Sequence, residues 1–142
     1  MAARFNEPLF VISVAARLVE MHPQTLRKYE KEGLIEPSRT SGNLRLYSDR
    51  DIERLRQVKY LVEQRGLNLA GVQLVLELTR KLRALREQTD LMHQDAARND
   101  TPRRVGDSYA VLRAELDAVL RLLGFVEEPQ QEDRRDGRPI LQ

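Results

Sequence analysis

The stretch HPQTLRKYEKEGLIEPSRTSGNLRLYS, running from His22 to Ser48, decides the fold. Pro23 suits the first position of a helix, where its missing N–H is not needed. Leu26 and Tyr29 then fall on one side, leaving Gln24, Thr25, Arg27, Lys28 and Lys31 on the other. Gly33 follows as a left-handed C-terminal cap. The remainder, LIEPSRTSGNLRLYS, predicts two short strands around a Ser41-Gly42-Asn43 turn, with Leu34 and Ile35 pairing to Leu44, Leu46 or Tyr47. The run holds no catalytic constellation. A short basic helix leads directly into a basic hairpin.

Working outward, LFVISVAARLVEMH (Leu9–His22) opens on an apolar strand-like run from Leu9 to Ile12. Ser13 is the expected N-cap of a two-turn helix carrying Val14, Ala15, Leu18 and Val19 at helical spacing. Two short helices joined by Met21-His22 make a helix-turn-helix candidate. Downstream, Ser48 with Asp49 and Asp51 starts another helix, with acids where the macrodipole favours them. Its apolar stripe is Ile52, Leu55, Val58, Leu61 and Val62, and Gly66 ends it. Asn68 caps the next, whose expected buried face is Leu69, Val72, Val75, Leu76 and Leu78. Leu78, Leu82, Leu85, Thr89 and Met92 continue at four-three spacing, the pattern of a coiled-coil seam. RNDTPRRVGD (98–107) interrupts it. Val105, Tyr109, Leu112, Leu116, Val119 and Leu123 then resume the spacing up to Gly124.

The chain has 142 residues, near the size of one domain, with 32% charged and 5% aromatic residues. It has no Cys, which excludes disulfides and thiolate metal sites. No apolar run reaches the ~20 residues of a membrane span, so a soluble cytoplasmic protein is expected. The net charge is +2. Residues 1–70 hold 12 Lys+Arg against 9 Asp+Glu, and the Arg39–Tyr47 segment has two Arg and no acid. Such a local patch serves phosphate binding even in a near-neutral chain.

A solvated charged helix pair would explain residues 13–32 alone. The attached hairpin favours DNA: the helix fits the ~12 Å major groove, and a basic wing reaches the flanking backbone. The sequence resembles the winged-helix DNA-binding domain of the MerR family from Phe10 to about Leu78. The resemblance is carried by TLRKYEKEGLI (25–35), Arg39 with GNLRLYS (42–48), DIERLRQVKYL (51–61) and GLNLAGVQLVLEL (66–78). Within the family, MHPQTLRKYE, RTSGN and NLAGV are similar to the HspR, or heat-shock repressor, branch. His22, where many family members carry Ser, points the same way.

The resemblance implies that Arg27, with Thr25, Lys28, Tyr29, Gln24 and His22, belongs to the recognition helix. It makes Arg45 and Tyr47 the wing's backbone-holding Arg-x-Tyr, with Asn43 in the wing turn. Arg17 and Arg39 are further backbone contacts. Core packing is the alternative for Tyr29 and Tyr47. The resemblance also implies a homodimer on an inverted-repeat operator, repression of chaperone genes, and a DnaK-type chaperone as co-repressor. The dimer contacts are expected from Leu82, Leu85, Met92, Tyr109, Leu112, Leu116, Val119 and Leu123.

The expected fold class is mainly α: a winged helix-turn-helix with a small β wing, then coiled-coil dimerisation helices. The expected layout is an arm over 1–9, the winged domain over 10–79, dimerisation helices over 80–124 and a disordered tail over 125–142. No enzyme, cofactor or metal is expected. His22 and His93 stand far apart without Cys, and metal-sensing members of the family use thiolates. The rivals are an effector-responsive activator binding a small apolar or cationic ligand, and a coiled-coil adaptor that binds protein.

Overall fold

The structure, a computed structural model, describes residues 5–99 and 103–127. The expected disordered tail lies outside the described residues from 128 onward, as do residues 1–4 of the expected arm and Pro102 of the interruption. The elements in chain order are β1 (Phe10–Val11), α1 (Ile12–Leu18), α2 (Pro23–Lys31), β2 (Ser38–Arg39), β3 (Arg45–Tyr47), α3 (Asp49–Glu63), α4 (Leu69–Arg98) and α5 (Arg103–Leu122). The protein is mainly helical, with a three-stranded antiparallel sheet ordered β1-β3-β2.

Local signals set most helix ends. The His22 imidazole accepts from the Gln24 amide at 3.1 Å and caps α2 ahead of Pro23. Ser48 and Asp51 form a reciprocal capping box at α3. The Asn68 side chain accepts from the Gly71 amide at 2.9 Å to cap α4. Gly33, at φ +77, closes α2: its own amide reaches Glu30 O and the Leu34 amide reaches Tyr29 O. The end of α1 uses the same closure with a residue ill-suited to it. Glu20 sits at φ +54, and Lys59 Nζ donates to the Val19 and Glu20 carbonyls at 3.2 Å. That Lys holds the turn between α1 and α2 against a backbone strain of about 1–2 kcal/mol.

Two local expectations need correction. Ser13 is not the N-cap: α1 begins at Ile12 behind Val11, without a side-chain cap. Val11 is paired to Leu46 in the sheet, so the strand leads straight into the helix. Leu34 and Ile35 are not a strand. Both are buried, and the backbone of Leu34 is already engaged, its amide by the helix cap and its carbonyl by Arg54 Nε at 2.8 Å. The partners of β3 are β1 (Phe10 opposite Tyr47) and β2 (Ser38 opposite Leu46, Arg39 opposite Arg45). In the wing turn, the positive φ belongs to Asn43 (+63) and not to Gly42.

The core gathers Ala15, Val19, Leu26, Leu34, Ile35, Leu55, Val58, Leu61, Val72 and Leu76, together with Tyr29 and Tyr47. Each buried Leu contributes about 1.5–3 kcal/mol relative to exposure. Beyond Leu76 the rotation of α4 differs from the expected seam: Thr79 is buried while Leu78 is 43% exposed. A polar knot fixes this rotation. Gln57 Nε2 donates to Thr79 Oγ1 at 2.8 Å and to the Leu123 carbonyl at 3.0 Å, and Thr79 donates to Val75 O. Turning Leu78 inward would strand the buried Gln57 amide, a loss of about 1–3 kcal/mol.

α4 is one helix of 30 residues, so the expected boundary after residue 79 falls inside it. It ends at Arg98, and α5 returns antiparallel along it. Their seam is apolar only near its root, at Leu82, Leu116 and Leu120. Farther out it is an ion-pair network: Arg86 to Asp117 (3.0 Å) and Glu127, and Arg113 to Asp90 (3.3 Å) and Asp117 (3.0 Å). Tyr109 donates to Asp90 at 2.6 Å and stacks on His93 at 3.8 Å. Phe125, expected to open the disordered tail, is instead buried, with the Arg83 guanidinium 4.4 Å from its ring centre.

Gly124 closes α5 at φ +82, and a Cβ there would lie 2.3 Å from Tyr60 Cδ1. Gly106 lies within a helix with open space around it. Thermal unfolding of the two variants should therefore diverge. Gly124→Ala should lower the Tm by several degrees, through a backbone cost of about 1–3 kcal/mol plus the clash. Gly106→Ala should raise stability by about 0.5–1 kcal/mol.

Candidate nucleic-acid interface

α2 is amphipathic by construction. Leu26 and Tyr29 are buried, whereas Gln24, Arg27 and Lys28 are exposed on the opposite side. Arg27 Nη1 donates to Gln24 Oε1 at 3.2 Å, so these two side chains present a joined amide and guanidinium at the surface. Amides and guanidiniums are the groups that read adenine and guanine edges bidentately. Thr25 is half-buried, and His22 is occupied as the cap although its ring is exposed. Arg17 on α1 is exposed.

The wing is tied to this helix by one carboxylate. Arg39 Nη2 donates to Glu30 Oε1 at 2.6 Å, and Arg45 Nε donates to Glu30 Oε2 at 2.5 Å. Arg39 Nη1 also donates to the Asn43 carbonyl at 3.2 Å. Thus α2, both strands of the hairpin and its turn meet at Glu30. Burial pushes the Glu30 carboxyl up, but the hydrogen bonds and charges of Arg45 and Arg39 outweigh it and hold the group below its ordinary range. The turn itself is locked by the Asn43 amide on Thr40 O (2.9 Å) and the Leu44 amide on Thr40 Oγ1 (3.1 Å).

Of the residues expected at the interface, the structure brings Arg17, His22, Gln24, Arg27, Lys28 and Asn43 to exposed positions. Arg39 is exposed and Arg45 half-buried, and both pair with Glu30. Tyr29 and Tyr47 do not reach the surface. Tyr29 is 7% exposed, and Tyr47 is fully buried at the centre of the sheet. Both phenols are pushed above their usual pKa, first by burial and then by a nearby acid, Glu63 for Tyr29 and Glu30 for Tyr47. Packing accounts for both rings, and the Tyr47 hydroxyl is buried without a hydrogen-bond partner among the described residues. Glu30 was not singled out by the sequence. Its partners lie 9 and 15 residues away, beyond any helical or strand period.

An exposed reading helix, a preceding helix set at its back and a braced β-hairpin beside it define a winged helix-turn-helix. Residues 10–79 match the family model described as MerR HTH family regulatory protein. Through these residues the chain belongs to the MerR family of transcriptional regulators. It is 52% identical over 80 residues to a Streptomyces coelicolor protein named as heat shock protein HspR, covering 56% of this chain and 53% of that one. It is 41% identical over 73 residues to the transcriptional regulator GlnR of Bacillus anthracis, covering 51% of this chain and 56% of the relative. It is 32% identical over 71 residues to the regulator ZntR of Escherichia coli, covering 49% and 50%. The chain thus spans about half the length of each of these relatives.

Neutralising Glu30 should release two guanidiniums at once. In Glu30→Gln, affinity for random duplex should rise and its salt dependence should steepen by up to about two phosphate charges, read by fluorescence anisotropy across a salt series. Because the folded carboxyl titrates below its unfolded value, the stability it contributes is complete above the ordinary Glu range and is lost as pH falls through the lower folded value. Acid unfolding of Glu30→Gln should lack that component.

Proposed function

We propose that this MerR-family transcriptional regulator is a dimeric repressor of heat-shock and chaperone genes, acting in the bacterial cytoplasm on the nucleoid. It occupies an inverted-repeat operator and excludes or stalls polymerase. The carrying observation is the joined Gln24–Arg27 pair beside Lys28 on the exposed face of α2, flanked by a wing that Glu30 holds in register. Gln24 and Arg27 read base edges; Lys28, Arg17 and the wing hold phosphates. Arg39 and Arg45 exchange Glu30 for phosphate as the wing closes on the backbone. The heat-shock assignment is supported by the HspR-named relative, 52% identical over 80 residues. A DnaK-type chaperone as co-repressor follows from the same likeness.

Pairing of two chains is supported by the outer surface of the hairpin. Leu78, Leu85 and Met92 on α4 and Leu112 and Val119 on α5 are all exposed. At about 100° per residue, the α4 stripe, which includes exposed Leu74, lies within an arc of about 40°, and the α5 pair within about 20°. Each arc is offset by roughly a quarter turn from the intrachain seam, and antiparallel packing puts both on the same side of the hairpin. Leu82, Leu123, Tyr109 and above all Leu116 face the chain's own seam. The expected dimer contacts therefore divide, with Leu85, Met92, Leu112 and Val119 left for a second copy. The seam itself is filled by its own leucines at the root and by ion pairs and the His93–Tyr109 stack farther out, so it does not favour the rival in which an apolar ligand lies between the C-terminal helices.

Duplexes from upstream of chaperone genes test the reading directly. Wild-type protein should bind them in preference to random DNA, with affinity falling roughly 10³-fold from low to moderate salt if about six phosphates are contacted. Arg27→Ala should erase most of that preference, whereas Arg17→Ala should weaken both targets alike. Indifference of the wild-type protein to those duplexes, with or without added DnaK-type chaperone, refutes the assignment.

Sedimentation of charge-substituted variants addresses pairing. Leu85→Glu with Leu112→Glu should give a folded monomer. Leu116→Glu should unravel the hairpin, seen as lost helicity and a lower Tm.

A further inference from the structure

Under the helix-turn-helix, at the root of the hairpin, lies a cleft of about 250 Å³. Six charged side chains line it: Arg50, Arg54, Arg80 and Arg83 against Glu53 and Glu77. Two acids thus stand against four cations, and one of them, Glu77, is also shared with Lys81 at 3.9 Å. Arg54 commits only Nε, to the Leu34 carbonyl at 2.8 Å, which leaves the outer fork of its guanidinium open. Arg83 lies over the Phe125 ring, a contact that fixes its plane without cancelling its charge. Arg50 and Arg80 make no side-chain hydrogen bond or ion pair to the described residues.

These cations work against one another. Arg54 and Arg83 are both held below the usual guanidinium pKa, first by burial. Arg50 and Arg80 add repulsion at Arg54, and Arg50 and Arg86 add it at Arg83. Asp51 and Glu36 offset part of this at Arg54, and Glu53 and Glu127 part of it at Arg83. Like charges gathered in a concave, partly desolvated space are stabilised by an anion that accepts from several of them together. Planar guanidinium forks match phosphate oxygens two at a time. The volume lies below the range of drug-sized ligand sites, so it suits a short, highly charged molecule.

We propose that this cleft is a binding site for a small polyanion of the phosphate class, a phosphate ester or the phosphate chain of a nucleotide, held by Arg50, Arg80 and the open fork of Arg54. Its walls come from three places: the cap of α2 at Gly33 and Leu34, the outer side of α3, and α4 from Gln73 to Arg83, closed by Phe125. A bound anion therefore links the helix-turn-helix to the hairpin, in a cleft whose lining does not include Arg27 or Lys28. The proposal does not depend on the DNA reading.

Thermal unfolding of the full chain in sodium tripolyphosphate, at constant ionic strength set with sodium chloride, tests it. Wild-type protein should show a saturable rise in Tm. Arg50→Gln with Arg80→Gln, and Arg80→Gln alone as a milder variant, should fold normally because both side chains are exposed. The double variant should weaken the fitted dissociation constant tenfold or more, and the single variant by less. Arg27→Gln with Lys28→Gln should bind as wild type does. No saturable rise in the wild type overturns the proposal. So does an unchanged constant in the double variant, or an equal loss in the Arg27/Lys28 variant. The assay contains no DNA, so its failure leaves the repressor reading standing.

Discussion

One carboxylate sets the geometry on which recognition depends. Glu30 leaves the inner edge of the reading helix and accepts from Arg45 and Arg39, the two cations of the wing. It adds to the pairing of β3 with β1 and to the buried Tyr47 in fixing a β-hairpin of two- and three-residue strands, since isolated short hairpins are marginal in water. Arg39 extends the tie to the Asn43 carbonyl, so the turn moves with the strands. An anion in the middle of a cationic surface opposes DNA binding by its charge. It also spaces the guanidiniums apart before any phosphate arrives, which lowers the ordering cost of association.

The same economy appears at the other end of the domain. Gln57 joins α3 to α4 through Thr79 and to the end of α5 through the Leu123 carbonyl. Gly124 presses against the Tyr60 ring, and Phe125 closes the root of the hairpin. Hairpin and helix-turn-helix are thereby packed as neighbours over a buried polar contact and a few apolar residues. Farther out, the seam changes to Arg86, Asp90, Arg113 and Asp117. Such half-exposed pairs give register more than strength. Orientation at the tip thus rests on charge, and at the root on packing.

What could be read from the sequence was what the chain decides locally. The caps at Ser48 and Asn68, the left-handed Gly33 and the inward Leu26 and Tyr29 all follow from spacing within one or two turns, whereas the cap at His22 does not. The exposure of Gln24, Arg27 and Lys28 follows from the same periodicity. Long-range competition was not legible. Leu34 and Ile35 look like strand residues until the helix cap and Arg54 claim the backbone of Leu34. Leu78 fits a leucine seam, but the amide of Gln57, 22 residues away from Thr79, rotates Thr79 inward in its place. Tyr47 satisfies the wing pattern, yet at the centre of a three-stranded sheet it is the side chain that fills the core. The pairing of Glu30 with Arg39 and Arg45 leaves no periodic trace at all.

The unbroken course of α4 has a mechanical consequence. Its first turns, at Val72 and Leu76, are embedded in the same core as the reading helix, while its last turn at Arg98 lies about 40 Å farther along the axis. A rigid rod held at one end amplifies displacement: a tilt of roughly 10° about Val72 sweeps the far end through about 7 Å. Conversely, whatever grips the tip applies a torque with a long arm to the floor beneath the recognition surface. A two-chain assembly clasped along these rods would set the separation of its two reading heads by the angle between the rods, with no change inside either head.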